Sequence, residues 1–453
     1  MEEDSHPEGR ESKGHITLEI TQLEPTQENP ITLYLRKELE DISFPCCIFH
    51  VPTKFRSQKE DACEPTLVSI GPMHHGKHHL QHMENHKWKY LHSLLNRNLT
   101  SDTTLESCIQ ALKVLEPKIR ACYEEDLSHI PSDKFITMIL LDGAFIIELF
   151  LRCYVRGLRT RDDTLLKSRE KFHSLANDLI LLENQIPFFV LRRIFSLIPL
   201  PKQCDKSISE LSLKFFKKMI LRDIHVLHEK YNFDGSNHLL DLIWKCYLPT
   251  FHKVPLVSDS SLGRNIKSAS KVQESGIKVR SADAESILDV IFVEGKLLIP
   301  SLRIHDHKHM ETVLRNMIAL EHCYGEKMKY VTSYAYLMRS LLHSEKDVRL
   351  FYRHRILLDF VKNKKEVVNL FKNLCEDVDL DKFYYEGMWE ELSKYKRTMW
   401  EFWFYKLKRK SRLIIREKGM CQTTLVLLFA VFILLGALAV ILFLFLRHER
   451  HES

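Results

Sequence analysis

The sequence is poor in glycine and lacks the short motifs that mark many nucleotide-using and ester-cleaving enzymes. Only 14 of its 453 residues are glycine, and neither the dinucleotide-binding nor the Walker A glycine pattern occurs. No GxSxG nucleophile elbow is present, and His228-Glu229 lacks the second histidine of a zinc-protease HExxH motif. We therefore predict that the chain is not an enzyme and that it uses no cofactor.

We expect no secretory signal sequence in the first residues, and the cysteines follow no regular pattern. Residues 1–13 are polar and contain no apolar run. The eleven cysteines are irregularly spaced, and the adjacent pair Cys46-Cys47 does not form a CxxC metal motif. We expect reduced thiols. The formal net charge of +6 is modest for this length, and much of the positive excess lies in the residues just before 420. Positive charge at that position favours contact with a membrane surface, so we predict no nucleic-acid partner.

One long hydrophobic run is present, close to the C-terminal end. Residues 419–446 contain no charged side chain, and residues 425–446 are almost entirely Leu, Phe, Val, Ile and Ala. As a helix rising about 1.5 Å per residue, this run would span roughly 33 Å, enough to cross a hydrocarbon core of about 30 Å. We predict one transmembrane helix over residues 420–446, with the lipid bilayer as a partner.

Basic and aromatic residues precede the hydrophobic run. Residues 394–418 hold ten Lys or Arg and two Glu, whereas Arg447 and Arg450 are the opposing positive charges in the tail, residues 447–453. The positive-inside rule then predicts a tail-anchored, single-pass protein with a cytosolic N-terminal part, at the plasma membrane or an endomembrane. Residues 394–418 are predicted to form a juxtamembrane helix. Contact with the membrane surface and anionic lipid headgroups is predicted for Lys406, Lys408, Arg409, Lys410, Arg412, Arg416 and Lys418.

Hydrophobic periodicity predicts a mainly α fold, with one multi-helix globular domain over residues 44–393 after a polar leader, residues 1–43, that we expect to be disordered. The period changes at residues 276–303, where β-branched runs and the turn pair Glu294-Gly295 predict a β-hairpin and a third strand. Helices are predicted at residues 83–96, 104–123, 132–157, 175–182, 186–198, 208–228, 238–248, 310–323, 331–342, 364–378 and 390–418, and a serine-rich loop at 258–271.

Histidine is concentrated in residues 74–86. If residues 77–88 are helical, His78, His82 and His86 lie on one face at a spacing that can bind Zn²⁺ or Ni²⁺. No nearby Cys or carboxylate completes the ligand set, apart from Glu84 on another face, so solvated or locally hydrogen-bonded histidines are the favoured interpretation. The alternative hypothesis is a metal-dependent enzyme that uses His74, His75, His78, His82 and His86.

Three consecutive polar residues, Glu183, Asn184 and Gln185, stand between the apolar segments 179–182 and 186–190. A buried polar group without a partner is costly. We therefore expect these side chains to cap helix ends or to bind backbone groups across a helix break. A binding pocket is the functional alternative.

Several separate motifs give the chain a resemblance to a known family. They include Val51-Pro52, Glu64-Pro65, the segment 68–72 with His74-His75-Gly76, Met83-Glu84 with Lys87, Phe135 with 140–143, the segment 182–191, Ser268-Ala269, Gly276-Ile277, Ile299-Pro300, Asn316 and the segment 330–334. Together these motifs resemble the plant family called domain of unknown function 247, from about residue 48 to the C-terminus. Met73 is a departure, because the family usually has Tyr there.

The resemblance implies a land-plant membrane protein with no established biochemical activity. Some relatives in grasses lie at self-incompatibility loci and behave as recognition determinants. Specific protein–protein recognition or signalling is therefore the function that the resemblance favours, with protein partners that the sequence does not name.

Overall fold

The computed structural model describes most of residues 46–395, all within the unit Cys46–Ser453. Residues 58, 60–61, 98–100, 161–162, 221, 251–265, 305–306, 326–327, 359–362 and 377 fall outside the description, and beyond 395 it covers Val431, Ile433 and Leu434. The predicted leader 1–43, tail 447–453 and most of the predicted juxtamembrane and transmembrane helices therefore lie outside the described residues. Within the described part of the chain, no helix is both long and apolar enough to cross a bilayer.

The described residues are mainly helical, as predicted. In chain order the helices are α1 (Thr53–Arg56), α2 (Gln81–Leu95), α3 (Ser101–Ala121), α4 (Ser132–Tyr154), α5 (Thr164–Lys167), α6 (Arg169–Asp178), α7 (Phe188–Leu197), α8 (Ile208–Phe215), α9 (Ile224–Lys230), α10 (Leu239–Tyr247), α11 (Ala269–Glu274), α12 (His307–Cys323), α13 (Tyr330–Leu341), α14 (Glu345–Arg353), α15 (Lys364–Leu374) and α16 (Glu386–Lys394). The strands are β1 (Lys278–Ala282), β2 (Ile291–Val293) and β3 (Lys296–Pro300).

Helix α4 is the centre of one group of helices. It is buried on nearly every side from Phe135 to Arg152, because α2, α3, α7 and α8 pack around it. A helix that is apolar all round is the expected core element of such a bundle. A second group packs α10, α13 and α15 against α12. One cluster of buried apolar side chains extends from Cys47 to Leu392 and joins the two groups.

The predicted small sheet is confirmed. The strand order is β1-β3-β2, with β2 and β3 antiparallel. The turn between them is Glu294-Gly295, whose φ angles are 49° and 69°, as two-residue hairpins of the favoured hand require. Strand β1 pairs with β3 in parallel, so that Ala282 lies opposite Pro300. The carboxyl ends of β1 and β3 therefore lie at the same edge of the sheet.

Two predicted helices are wrong in extent. The helix predicted at 175–182 is the C-terminal part of α6, which ends at Asp178. Beyond that point the carbonyls of Asp178, Leu179 and Leu181 accept hydrogen bonds from the side-chain amides of Asn184 and Gln185. The helix predicted at 208–228 is divided into α8 and α9. Asp223 accepts the backbone N–H of His225 and thereby begins the second helix.

Other differences lie at element ends or in short elements. The loop predicted at 258–271 gives way to α11, which begins at Ala269. The prediction missed α14, although Ser344 and Asp347 form the reciprocal capping box that marks its start. The predicted helix 364–378 ends at Leu374. The helix predicted at 390–418 overlaps α16, which begins at Glu386 and ends at Lys394. Residues 396–418 of the predicted helix lie outside the described residues.

Candidate functional site

Several of the motifs that carry the family resemblance meet at one buried bend between α6 and α7, which we call the polar junction. It consists of Glu183, Asn184 and Gln185 with the loop 66–74 that packs against them. Each of the three side chains exposes no more than 3% of its surface. The loop approaches closely because Gly71 has a φ of +74°, and a Cβ at this position would lie 2.4 Å from the Gln185 carbonyl oxygen.

Asn184 and Gln185 bind backbone groups across the bend, as predicted. The Asn184 amide accepts the Ile70 N–H at 2.7 Å and donates to the Val68 carbonyl at 3.0 Å. The Gln185 amide donates to the carbonyls of Leu179 and Leu181 at 2.9 and 2.8 Å. These bonds replace the helical bonds that the bend removes, so both side chains stabilise the fold.

Glu183 is a buried carboxylate with cationic and backbone partners. It accepts the Val51 N–H at 2.8 Å and a hydrogen bond from the Arg56 guanidinium. His74 Nε2 lies 3.4 Å from its other oxygen. Burial opposes the charge of Glu183, but His74, Arg56 and the Val51 N–H outweigh it and lower the pKa of Glu183 to about 2. The carboxylate is therefore ionised and held in place, unlike a general base with a pKa near neutrality.

A second buried ion pair lies beside the junction. Lys87 Nζ of α2 lies 2.6 Å from Asp142 Oδ1 of α4 and 2.6 Å from Glu84. The other Asp142 oxygen accepts the Gly71 N–H at 2.8 Å. Burial disfavours the charged lysine, but Asp142 and Glu84 outweigh it and raise the pKa of Lys87. This lysine is therefore a cation that joins two helices to the loop, and not a nucleophilic amine.

Asn316 from α12 joins the second group of helices to the same region. Its side chain accepts the Leu182 N–H at 2.9 Å and donates to the Ala62 carbonyl at 3.0 Å. The motif residues thus bring several separate chain segments together, among them the loop 66–74, the bend, α2, α4 and α12. Their polar groups hold those segments to one another, which makes the junction a structural centre.

The histidines do not form the predicted array. Residues 78–80 form a short 3-10 turn and the α-helix begins at Gln81, so His78 is not on the helix that carries His82 and His86. The backbone of Lys77 is extended, and His79 hydrogen-bonds with the Pro65 carbonyl at 3.1 Å, which shapes this turn. Among the described residues, no three His, Cys, Asp or Glu side chains are arranged to hold a metal ion.

His74 and His75, the other two predicted metal ligands, differ in their exposure to solvent. His74 is buried against Glu183, whereas His75 is exposed. The predicted membrane-surface residues, from Lys406 to Lys418, lie outside the described residues.

A cavity of about 960 Å³ is the feature that sequence analysis missed. Its walls come from α6, the turn between α8 and α9, the start of α12, and the residues that follow β1 and β3. The carboxyl ends of parallel strands are a common position for ligand sites. The sequence did not reveal that β1 and β3 pair in parallel.

The fold and junction define a class of protein: a mainly helical domain with a small mixed sheet, organised around buried motif residues. The chain belongs to the DUF247 family, described as a plant protein of unknown function, whose model matches residues 48–435. It is 30% identical to the UPF0481 protein At3g47200 of Arabidopsis thaliana over 77% of each chain. It is 24% identical to the putative UPF0481 protein At3g02645 of the same plant, over 80% of this chain and 84% of that one. No solved structure matches the chain.

Proposed function

We propose that this protein is a recognition module that a C-terminal helix holds at a membrane, and that it acts by binding protein partners. The observation that carries this proposal is that the motif carboxylates form ion pairs inside the fold. Glu183 and Asp142 are enclosed, and each is neutralised by cations within the fold. Residues that define the family thus serve as a scaffold, which leaves the outer surface to determine partners.

The proposed anchor rests on the sequence. The uncharged run at 420–446 is long enough to cross a bilayer, and the basic residues before it favour a cytosolic domain. Lys406, Lys408 and their basic neighbours would contact anionic headgroups. An anchor confines the domain and its partners to a surface and so raises their effective concentration.

One exposed aromatic side chain supports a binding surface on α2. Trp88 exposes 52% of its surface, whereas the side chain of the preceding residue, Lys87, is fully buried. Tryptophan is among the residues most often found at the energetic centres of protein interfaces. We propose Trp88 as a contact residue for a protein partner.

The anchor is tested by alkaline carbonate extraction of the full-length chain expressed in plant cells. Replacing Ile433 and Leu434 with Arg places two charges in the run, each costing about 2.5–3.5 kcal/mol at a helix centre, whereas Ile433→Leu with Leu434→Ile preserves the apolar character. We expect the wild type and the apolar variant to stay in the membrane pellet and the Arg variant to be released. Release of the wild type by carbonate or high salt without detergent would refute the anchor.

The partners are tested by proximity labelling with the tag at the N-terminus. We expect cytosolic proteins to be labelled, with a subset lost in Trp88→Ala and retained in Leu200→Ala, a control at another exposed apolar residue. An identical set of labelled proteins in both variants would exclude Trp88 as a contact. Labelling of lumenal or cell-wall proteins alone would reverse the proposed orientation.

A further inference from the structure

The cavity has the size and the position of a small-molecule binding site. Its volume of about 960 Å³ lies within the range of small-molecule sites, roughly 300–1,000 Å³. Asp283 follows the end of β1 and Ser301 follows the end of β3, and both line it. The remaining walls come from helices and from the segment between α8 and α9, so helices and connecting segments build the cavity together.

Part of the cavity wall is apolar. Met219, Ile220, Met310 and Val313 are buried in the fold and also line the cavity, and Val226 is half-buried beside them. Such a wall favours a ligand with a hydrocarbon or aromatic body, because apolar surface gains free energy when it leaves water. A free inorganic ion would leave this wall unused.

The cavity also carries basic residues without ion-pair partners. Arg169, Lys217, Lys218 and Arg303 line it, are exposed, and form no ion pair with any described residue. Lys217 and Lys218 are adjacent in the turn after α8. Unpaired cations in a concave site attract anions and raise their local concentration.

The acidic residues of the cavity offset this charge only in part. Glu285 lies 3.4 Å from the guanidinium of Arg222, which also donates to the carbonyls that end α10. Asp223 binds the backbone N–H of His225 at 2.9 Å. Asp283 is the third carboxylate. Four cations that form no ion pair within the described part of the chain therefore face a smaller acidic charge.

A histidine in the cavity wall has unused hydrogen-bonding capacity. His173 Nε2 is buried and has no hydrogen-bond partner among the described residues. The ring of His309, which also lines the cavity, lies 6.1 Å away between centroids.

We propose that this cavity binds a small organic anion, in which a carboxylate or phosphate group is attached to an apolar body. The basic residues, chiefly Lys217 and Lys218, hold the anionic group. The wall formed by Met219, Ile220 and Val226 holds the apolar body. This site is independent of the membrane anchor and of the surface around Trp88.

The proposal is tested with the full chain in nanodiscs of zwitterionic lipid, with empty nanodiscs as the blank. The probes are 1-naphthaleneacetate, 1-naphthyl phosphate and the uncharged 1-naphthaleneacetamide, and binding is measured by titration calorimetry. We expect saturable binding of at least one anion and binding of the amide at least tenfold weaker. The anion that binds more tightly identifies the anionic group. No saturable binding of either anion, or equal binding of the amide, overturns the proposal.

Two variants test where the anion binds. Lys217→Ala with Lys218→Ala is expected to raise the Kd about tenfold, whereas Lys89→Ala with Lys134→Ala removes the same charge elsewhere and is expected to leave the Kd unchanged. Val226→Trp is expected to weaken binding by occupying part of the cavity beside Met219 and Ile220, with its melting temperature measured to confirm folding. Should Val226→Trp fail to fold, the lysine variants still decide. Equal Kd values in the two lysine variants overturn the assignment.

Discussion

The ammonium group of Lys87 lies 2.6 Å from the carboxylate of Asp142, and both side chains are closed to solvent. This pair joins α2 to the central helix α4. Because the second Asp142 oxygen binds the Gly71 N–H, the pair also fixes the loop that reaches the polar junction. A buried ion pair of this kind is sensitive to removal of one partner, since the other charge then remains buried without compensation.

Lys87→Met is expected to destabilise the fold by about 3–5 kcal/mol, measured by urea unfolding. The double variant Lys87→Met with Asp142→Asn is expected to recover part of this loss, because the fully buried charge of Asp142 is removed together with that of Lys87, and only the partly exposed Glu84 loses its partner. Lys89→Met, at an exposed position on the same helix, serves as the control and is expected to change stability by less than about 0.5 kcal/mol. Equal stabilities for Lys87→Met and Lys89→Met would contradict the inferred role of the pair.

Gly71→Ala is expected to lower the melting temperature much more than Gly76→Ala. Both glycines have positive φ angles, +74° and +82°, so both variants carry the backbone strain of about 1–2 kcal/mol. Only at Gly71 would the new Cβ also meet the Gln185 carbonyl oxygen, whereas nothing lies within 4 Å at Gly76. The comparison isolates the close approach of loop and bend. Similar melting temperatures would show that the bend adapts.

The stability of the wild type is expected to fall as pH decreases from about 6.5 to about 4, in part because of His238. Its Nδ1 accepts the Asp241 N–H, so its Nε2 carries the proton and donates to the Cys47 carbonyl at 3.0 Å. Burial lowers the pKa of His238 to about 4. The unfolded state therefore binds a proton in this pH window and the folded state does not, so stability is full above the window and is lost as pH falls through it.

His238→Asn is expected to flatten this dependence, because an Asn side chain can cap α10 without titrating. The lost contribution is about 3.5 kcal/mol at most, from about 1.4 kcal/mol for each pKa unit. The measurement is urea unfolding at several pH values. If the free energy of unfolding changes with pH equally in the wild type and in His238→Asn, a contribution from this histidine is excluded.

His78 and His82 are exposed and His86 is half-buried, and all three are expected to be dispensable for folding. Replacing His78, His82 and His86 with Ala should leave both the melting temperature and the zinc content, measured by elemental analysis, unchanged. His74→Ala should instead destabilise the fold by about 1–3 kcal/mol, because Glu183 loses a buried partner. Stoichiometric zinc in the wild type that is lost in the triple variant would restore the metal-site hypothesis.

Local patterns in the sequence predicted what depends on local physics. The apolar face of α4 indicated a long buried helix, and Glu294-Gly295 indicated a tight hairpin turn, because helical periodicity and positive φ angles are properties of short segments. The placement of Glu183, Asn184 and Gln185 at a break between apolar segments was also predictable, since buried polar side chains need partners. The identity of those partners was not.

Tertiary structure decided which distant residues meet. Val51, Arg56 and His74 surround Glu183, and Asn316 reaches Leu182 from more than a hundred residues away. It also decided that β1 pairs with β3 in parallel and that Lys217 and Lys218 face a cavity. Such contacts depend on how helices and strands pack in space, and short-range patterns in the chain carry little information about packing. The sequence by itself therefore determined the elements and the family, whereas the packing determined the junction and the cavity.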